Sequence, residues 1–177
     1  AIQWNPFSNY MQTTSDRIEN EKKWPKFSFQ ITKSIPNFVG NDFNFTKFDF
    51  KIIHEIPYLS GQNTSFYFMG GVAVGNLPLT HLYSIVPNNL NKETLLQRIT
   101  LTRKNSFETM YFNEFFSSKY FSFQARHTFT KVKLAYKIKP KISVVSRFAF
   151  GSMDQPENHL NFTYKTLEKG FFESGIE

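Results

Sequence analysis

The sequence predicts an all-β fold: an antiparallel transmembrane β-barrel, or a multi-strand portion of a larger one. Three observations carry that expectation. Between Tyr120 and Phe129, Phe121, Phe123, Ala125, His127 and Phe129 alternate with Tyr120, Ser122, Gln124, Arg126 and Thr128. That is the period of a strand, over about the nine to eleven residues a tilted transmembrane strand needs. The same alternation recurs in several further segments, separated by turn-forming residues. Finally, aromatic content is 18%, including 22 Phe, and no long amphipathic helix can be traced; such loading favours sheet and suits a lipid-facing surface.

Taken in order, residues 1–25 read as an irregular opening segment and residues 26–177 as barrel strands. Trp4, Phe7 and Tyr10 fit either interface anchoring or packing under a loop. Phe27, Phe29 and Ile31 then alternate with Lys26, Ser28, Gln30 and Thr32, until Ile35-Pro36-Asn37 breaks the pattern. Phe48, Phe50, Ile52, His54 and Ile56 form the next apolar set. Phe43 and Phe45 are out of phase with it, which predicts a bulge near Thr46-Lys47. Pro57 and Gly61 make a turn into a strand over Thr64–Val74. Gly70-Gly71 inside that strand implies a bend or a close approach of another backbone.

Gly75–Asn91, with Pro78, Pro87 and Asn88-Asn89, reads as a long loop, and Lys92–Thr100 as a brief helix or strand entrance. Phe107–Phe116 is expected to be a strand, joined through Ser117-Ser118-Lys119 as a hairpin to the Tyr120 strand. Val132–Ile138 alternates with lysines. Ile142, Val144, Phe148 and Phe150 follow, and then a turn at Asp154, Pro156 and Asn158. Leu160–Thr166 alternates again. Phe171–Glu177 reads as a strand that stops without a partner, so the chain is expected to be a fragment of a longer protein.

Composition excludes several classes. There are no cysteines, which removes disulfide scaffolds, thiol redox chemistry and thiolate metal sites. No apolar run reaches roughly 18 residues, so no transmembrane helix is expected. Net charge is +7, but the basic residues are scattered except in the run Lys131, Lys133, Lys137, Lys139 and Lys141. Its interleaved apolar residues favour a charged edge or membrane-adjacent turn over a nucleic-acid or anionic-lipid patch.

Chemistry-bearing constellations are absent from the pattern. His54, His81, His127 and His159 are not spaced as metal ligands. Glu108 and Glu114 share a strand face but lie too far apart to cooperate, and Asp154 with Glu157 falls in a turn. No nucleophile elbow, P-loop or dinucleotide fingerprint occurs. No catalytic, cofactor-binding or metal residue is therefore assigned. The expected lipid-facing residues are Phe121, Phe123, Phe129, Phe148 and Phe162, and the expected lumen-facing residues are Gln124 and Arg126.

Residues 69–151 carry a family resemblance. Gly75-Asn76-Leu77-Pro78-Leu79 is followed by Phe107-Glu108-Thr109-Met110-Tyr111-Phe112-Asn113-Glu114-Phe115. Then come Ser118-Lys119-Tyr120-Phe121-Ser122-Phe123, Arg126-His127-Thr128-Phe129 and Val144-Val145-Ser146-Arg147-Phe148-Ala149-Phe150-Gly151. This order resembles the C-terminal region of a family of large Bacteroidota outer-membrane proteins of unknown function. These carry an N-terminal carboxypeptidase-regulatory-like domain and a C-terminal β-barrel. Gly170–Glu177 is similar to that family's penultimate barrel strand. The resemblance implies that Thr130–Lys141 is a periplasmic turn rather than a spanning strand, and it transfers no catalytic residues. It also implies a distant likeness to the outer-membrane insertase and surface-antigen superfamily.

The expected function is therefore a non-enzymatic outer-membrane β-barrel component of transport or envelope biogenesis, alone or within a multi-protein complex. Its partners would be outer-membrane lipid and other outer-membrane proteins, with no nucleic acid and no cofactor. The alternative is a soluble β-barrel that binds a hydrophobic ligand, in which the same alternation points inward.

Overall fold

The computed structural model describes residues 1–4, 10–14, 17–19, 25–37, 42–85, 87–89, 105–111, 114–131, 140–159 and 163–177. Eleven strands occur among them: β1 (Ile2–Trp4), β2 (Tyr10–Gln12), β3 (Arg17–Glu19), β4 (Lys26–Lys33), β5 (Phe45–Pro57), β6 (Asn63–Gly75), β7 (Pro87–Asn89), β8 (Phe107–Tyr111), β9 (Lys119–Thr128), β10 (Ser143–Ser152) and β11 (Phe171–Ile176). Seven form one sheet in the order β1-β4-β5-β6-β9-β10-β11, antiparallel at every junction. The all-β antiparallel expectation holds. The sheet is open, however, with β1 and β11 as its edges, and is not a closed barrel.

Register keeps the strands in phase. Trp4, Phe27, Ile52, Phe68, Phe123, Phe148 and Phe172 are successive cross-strand partners, so one apolar row crosses all seven strands. Aromatic and β-branched residues at such positions pack across the pleat, each pair contributing about 0.2–1 kcal/mol. The next row, on the other face, runs Lys26, Ile53, Tyr67, Gln124, Arg147 and Glu173.

The β5–β6 hairpin closes over Tyr58–Gln62, where Gly61 has φ of 81° and its N–H donates to Tyr58 O at 2.9 Å. This is the turn expected from Pro57 and Gly61. The β9–β10 connection lies at the same end. At the opposite end the described residues of the β6–β9 connection, 76–85, 105–111 and 114–118, fold back over the polar face of the sheet. Its Leu77, Leu82, Tyr83 and Phe116 are buried against Phe45 and Ala73. Ile85, Phe107 and Met110 are buried with Ala149 and Leu167.

Gly70-Gly71 permits close approach on both faces, by side-chain rings rather than by the other backbone expected. A Cβ on Gly70 would meet the Phe50 ring at 2.3 Å, and one on Gly71 would meet Tyr83 at 2.6 Å.

Several expectations are corrected. No bulge occurs at Thr46-Lys47, because the β5–β6 ladder runs unbroken from Phe45–Gly75 to Pro57–Asn63. Phe45 is out of phase because it belongs to the covered face, where it is 5% exposed. Phe107–Phe116 does not form a hairpin with the Tyr120 strand. β8 stops at Tyr111 and pairs in parallel with β7, while β9 takes β6 and β10 as neighbours. The intervening residues bridge elsewhere: Tyr83 and Ser117 exchange backbone hydrogen bonds at 2.9 and 3.0 Å, and Ser118 N donates to Ser152 O. Residues 163–166 are not a strand, and only Lys165 forms a bridge, with Phe115. Phe171–Ile176 has a partner, β10. The opening segment contains β1, which joins the sheet, and the β2–β3 pair. Lys92–Thr100 and Val132–Ile138 lie outside the described residues.

One consequence is measurable. Gly71→Ala should destabilise the fold by about 1–3 kcal/mol through overpacking against Tyr83. Gly175→Ala, with nothing within 4 Å of the added carbon, should be nearly neutral. Denaturant unfolding of the two variants reads the difference, and equal stabilities would contradict the packing described.

Candidate functional site

The two faces of the sheet differ in chemistry and in covering. Of the predicted lipid-facing residues, Phe121, Phe123 and Phe148 lie on the apolar face, and Phe129 continues it just beyond β9. Phe121 is 38% exposed and Phe129 40%. Phe162 lies outside the described residues. Exposure extends along this face to Phe29, Ile31, Phe48, Phe50, Val72, Val144, Phe150 and Phe172. In the row of Phe68 and Phe123, Trp4 packs on Phe27 with ring centroids 5.6 Å apart, and at the hairpin end Tyr58 and Phe129 flank His127.

Gln124 and Arg126 lie on the opposite face, which the chain's own connections cover. Gln124 is 5% exposed, and its Nε2 donates to Asn105 O at 2.9 Å. Arg126 Nη2 pairs with Glu177 Oε2 at 2.7 Å.

Around them stands an ionic cluster that sequence reasoning missed. Arg147, 3% exposed, donates from Nη1 to Glu173 Oε1 at 2.9 Å and from Nη2 to Glu177 Oε1. Its Nη1 is also 3.5 Å from Glu108 Oε1. Glu173 holds β8 as well. Its Oε1 accepts from Glu108 N at 2.9 Å, and its Oε2 accepts from Thr109 N at 3.0 Å and Thr109 Oγ1 at 2.7 Å. A buried charge is tolerated only when paired and hydrogen-bonded, and Glu173 meets both conditions. Period two does place Arg147 with Val145 and Ala149, opposite the phenylalanines of β10. Nothing in the sequence pairs it with Glu173, because a long connection separates the two strands.

Burial pushes the Glu108 carboxyl above its ordinary value; the neighbouring Glu177 adds to this and the Arg147 guanidinium opposes it. Burial and the adjacent Asp49 carboxylate likewise push up the Tyr83 phenol. Lys47 spans the same contact, with Nζ 4.1 Å from the Tyr83 ring centre and 3.0 Å from His81 O. The carboxylates considered from sequence separate: Glu114 pairs with Lys165 at 2.7 Å, and Asp154 with Lys119 at 2.8 Å. Among the described residues, no group of three or more His, Asp or Glu side chains is placed to hold a metal ion.

These observations define a class: an antiparallel sheet with its apolar face exposed and with its own chain covering the polar face over β9, β10 and β11, while Gln30 on β4 stays exposed. The chain belongs to the family described as "Family of unknown function (DUF5686) C-terminal domain", whose family model matches residues 1–164. No curated protein and no solved structure matches it.

The Glu108 environment sets a pH dependence. A carboxyl raised in the folded state adds stability that is present below its unfolded value and lost as pH rises through its folded value. Glu108→Gln should therefore be more stable than the parent at neutral pH. The difference should vanish as pH falls below the ordinary glutamate range. Unfolding midpoints measured across that window check this, and an advantage that persists in acid would contradict it.

Proposed function

We propose that this chain is wall of a bacterial outer-membrane β-barrel, non-enzymatic, serving transport or envelope biogenesis. One observation carries the reading: the apolar sides of all seven strands lie on one bare face, while polar residues and buried ion pairs lie on the covered face. A water-soluble sheet does the reverse, and so large an uncovered apolar surface marks an interaction with lipid or a partner. In a membrane barrel, outward residues are apolar and the interior is polar.

Dimensions support the same reading. β9 and β10 have 10 residues each and β5 and β6 have 13, enough for a tilted strand to cross the hydrocarbon. Tyr58 and Phe129 at the hairpin end suit the aromatic belt at a membrane–water boundary. The open edges of β1 and β11 must be paired in lipid, since each unsatisfied backbone group there costs several kcal/mol. Further strands, from the same polypeptide or a partner outer-membrane protein, complete the wall in this proposal. The resemblance to Bacteroidota proteins with a carboxypeptidase-regulatory-like N-terminal domain fits such a larger assembly. The alternative, a soluble barrel enclosing a hydrophobic ligand, requires the phenylalanine face to be the enclosed one. Here the chain's own connections enclose the other face.

The test is Phe123→Arg in the intact protein. On a lipid face near the midplane it should cost roughly 2–4 kcal/mol and block assembly into membranes. Gln30→Arg, on the polar face of β4, should assemble normally. If Phe123→Arg assembles and resists heat and detergent as the parent does, the lipid-facing assignment is wrong.

A further inference from the structure

β8 lies on the polar face of the wall without being part of the sheet. Among the described residues its ladder is a short, irregular parallel one with β7. Side chains of the wall hold it instead. Glu173 accepts from Glu108 N, Thr109 N and Thr109 Oγ1, and Gln124 donates to Asn105 O. The adjoining apolar cluster is mostly the connections' own. Of its buried members Ile85, Phe107, Met110, Leu167 and Ala149, only Ala149 comes from the wall, whose partly buried Tyr120 and Phe171 pack against the cluster, Phe171 edge-on to Phe107 at 5.7 Å.

The wall also stays charge-balanced without β8. Arg126, Arg147, Glu173 and Glu177 pair among themselves on β9, β10 and the end of β11. Removing β8 withdraws only Glu108 from Arg147 and exposes no unpaired charge. Two buried polar atoms, Ser122 Oγ and Arg147 Nε, have no hydrogen-bond partner among the described residues. Unpaired buried groups of this kind are costly, and water satisfies them when it can enter. Arg147 faces Glu108 of β8, and Ser122 is the cross-strand partner of Ala149, which packs with Phe107 and Met110 of β8.

We propose that residues 105–111 are a releasable plug strand, latched to the wall by Glu173, and that its release opens an aqueous path for small hydrophilic solutes along the polar face. The lumen part of this rests on the barrel reading above. The latch part rests only on the contacts of β8.

The chain contains no cysteine, so Ser122→Cys introduces a single thiol, at the buried cross-strand partner of Ala149, which packs with Phe107 and Met110 of β8. The experiment uses the intact protein in detergent or planar bilayers, reads maleimide labelling against the unsubstituted protein, and records single-channel current. Ser122→Cys alone should label slowly and pass little current. Adding Glu173→Gln places an amide donor against the donors of Arg147 and Thr109. It should speed labelling roughly tenfold, the effect of losing one charge-assisted hydrogen bond, and raise the open fraction. Thr109→Val removes one donor, leaves the Arg147–Glu173 pair intact and should act in the same direction more weakly. It decides the matter if Glu173→Gln fails to fold. Unchanged labelling in folded variants overturns the latch. Faster labelling without current overturns the aqueous path. A protein that needs no detergent and shows no heat-dependent gel shift fails the barrel reading instead, while the labelling rate still decides the latch.

Discussion

Phase coherence across the sheet is the constraint on which the rest depends. The side-chain period of a strand is two, so a slip of one residue at any junction would send that strand's apolar set to the opposite face. Six consecutive junctions keep phase here, and the row from Trp4 to Phe172 is the result. The coherence makes one face uniformly apolar and leaves the other to polar residues. It also explains where the connections go. Residues 76–85, 105–111 and 114–118 carry their own buried side chains, and they settle on the face where Gly71, Ala73, Ala149 and Gly151 leave room.

The polar face then has to solve a burial problem. Covering it takes Arg147 and Glu173 out of water, and each charge costs several kcal/mol unless matched. The solution is local. Arg147 and Glu173 are cross-strand partners, and Glu173 uses its remaining lone pairs on the backbone of β8. One carboxylate thus pairs with a buried guanidinium and accepts from two strand N–H groups, those of Glu108 and Thr109. The same economy makes β8 separable from the wall. Its attachment runs through side chains, whereas attachment within the sheet runs through the backbone.

Much of the sheet was legible from alternation alone. Strands β4, β5, β6, β9 and β10 are long enough for period two to declare itself, and the turns at Pro36-Asn37 and Gly61 carry their own chemistry. Residues of the apolar face were identifiable for the same reason: Phe121, Phe123 and Phe148 fall in phase with their neighbours. Three things were not legible. A strand of three residues, such as β1, is too short to show a period. Phe45 and the Phe107–Tyr111 segment look like strand residues of the sheet, yet one belongs to the covered face and the other to a strand outside the sheet. Whether an apolar residue serves the bare or the filled face depends on register and not on composition. Finally, Arg147 and Glu173 meet only because β10 and β11 pair across a connection whose length sets no register.

Lipid contact of the phenylalanine face is the central claim, and nitroxide accessibility measures it most directly. Single cysteines at Phe121, Phe123, Phe148 and Phe150, and at Ser28 and Gln30 on the other face, would be spin-labelled in the membrane-embedded protein. Each label is then relaxed with oxygen, which partitions into lipid, and with a water-soluble nickel chelate. The expected result is oxygen-dominated relaxation at all four phenylalanine sites and chelate-dominated relaxation at Ser28 and Gln30. Chelate access at the phenylalanine sites, or no difference between the faces, would contradict the account.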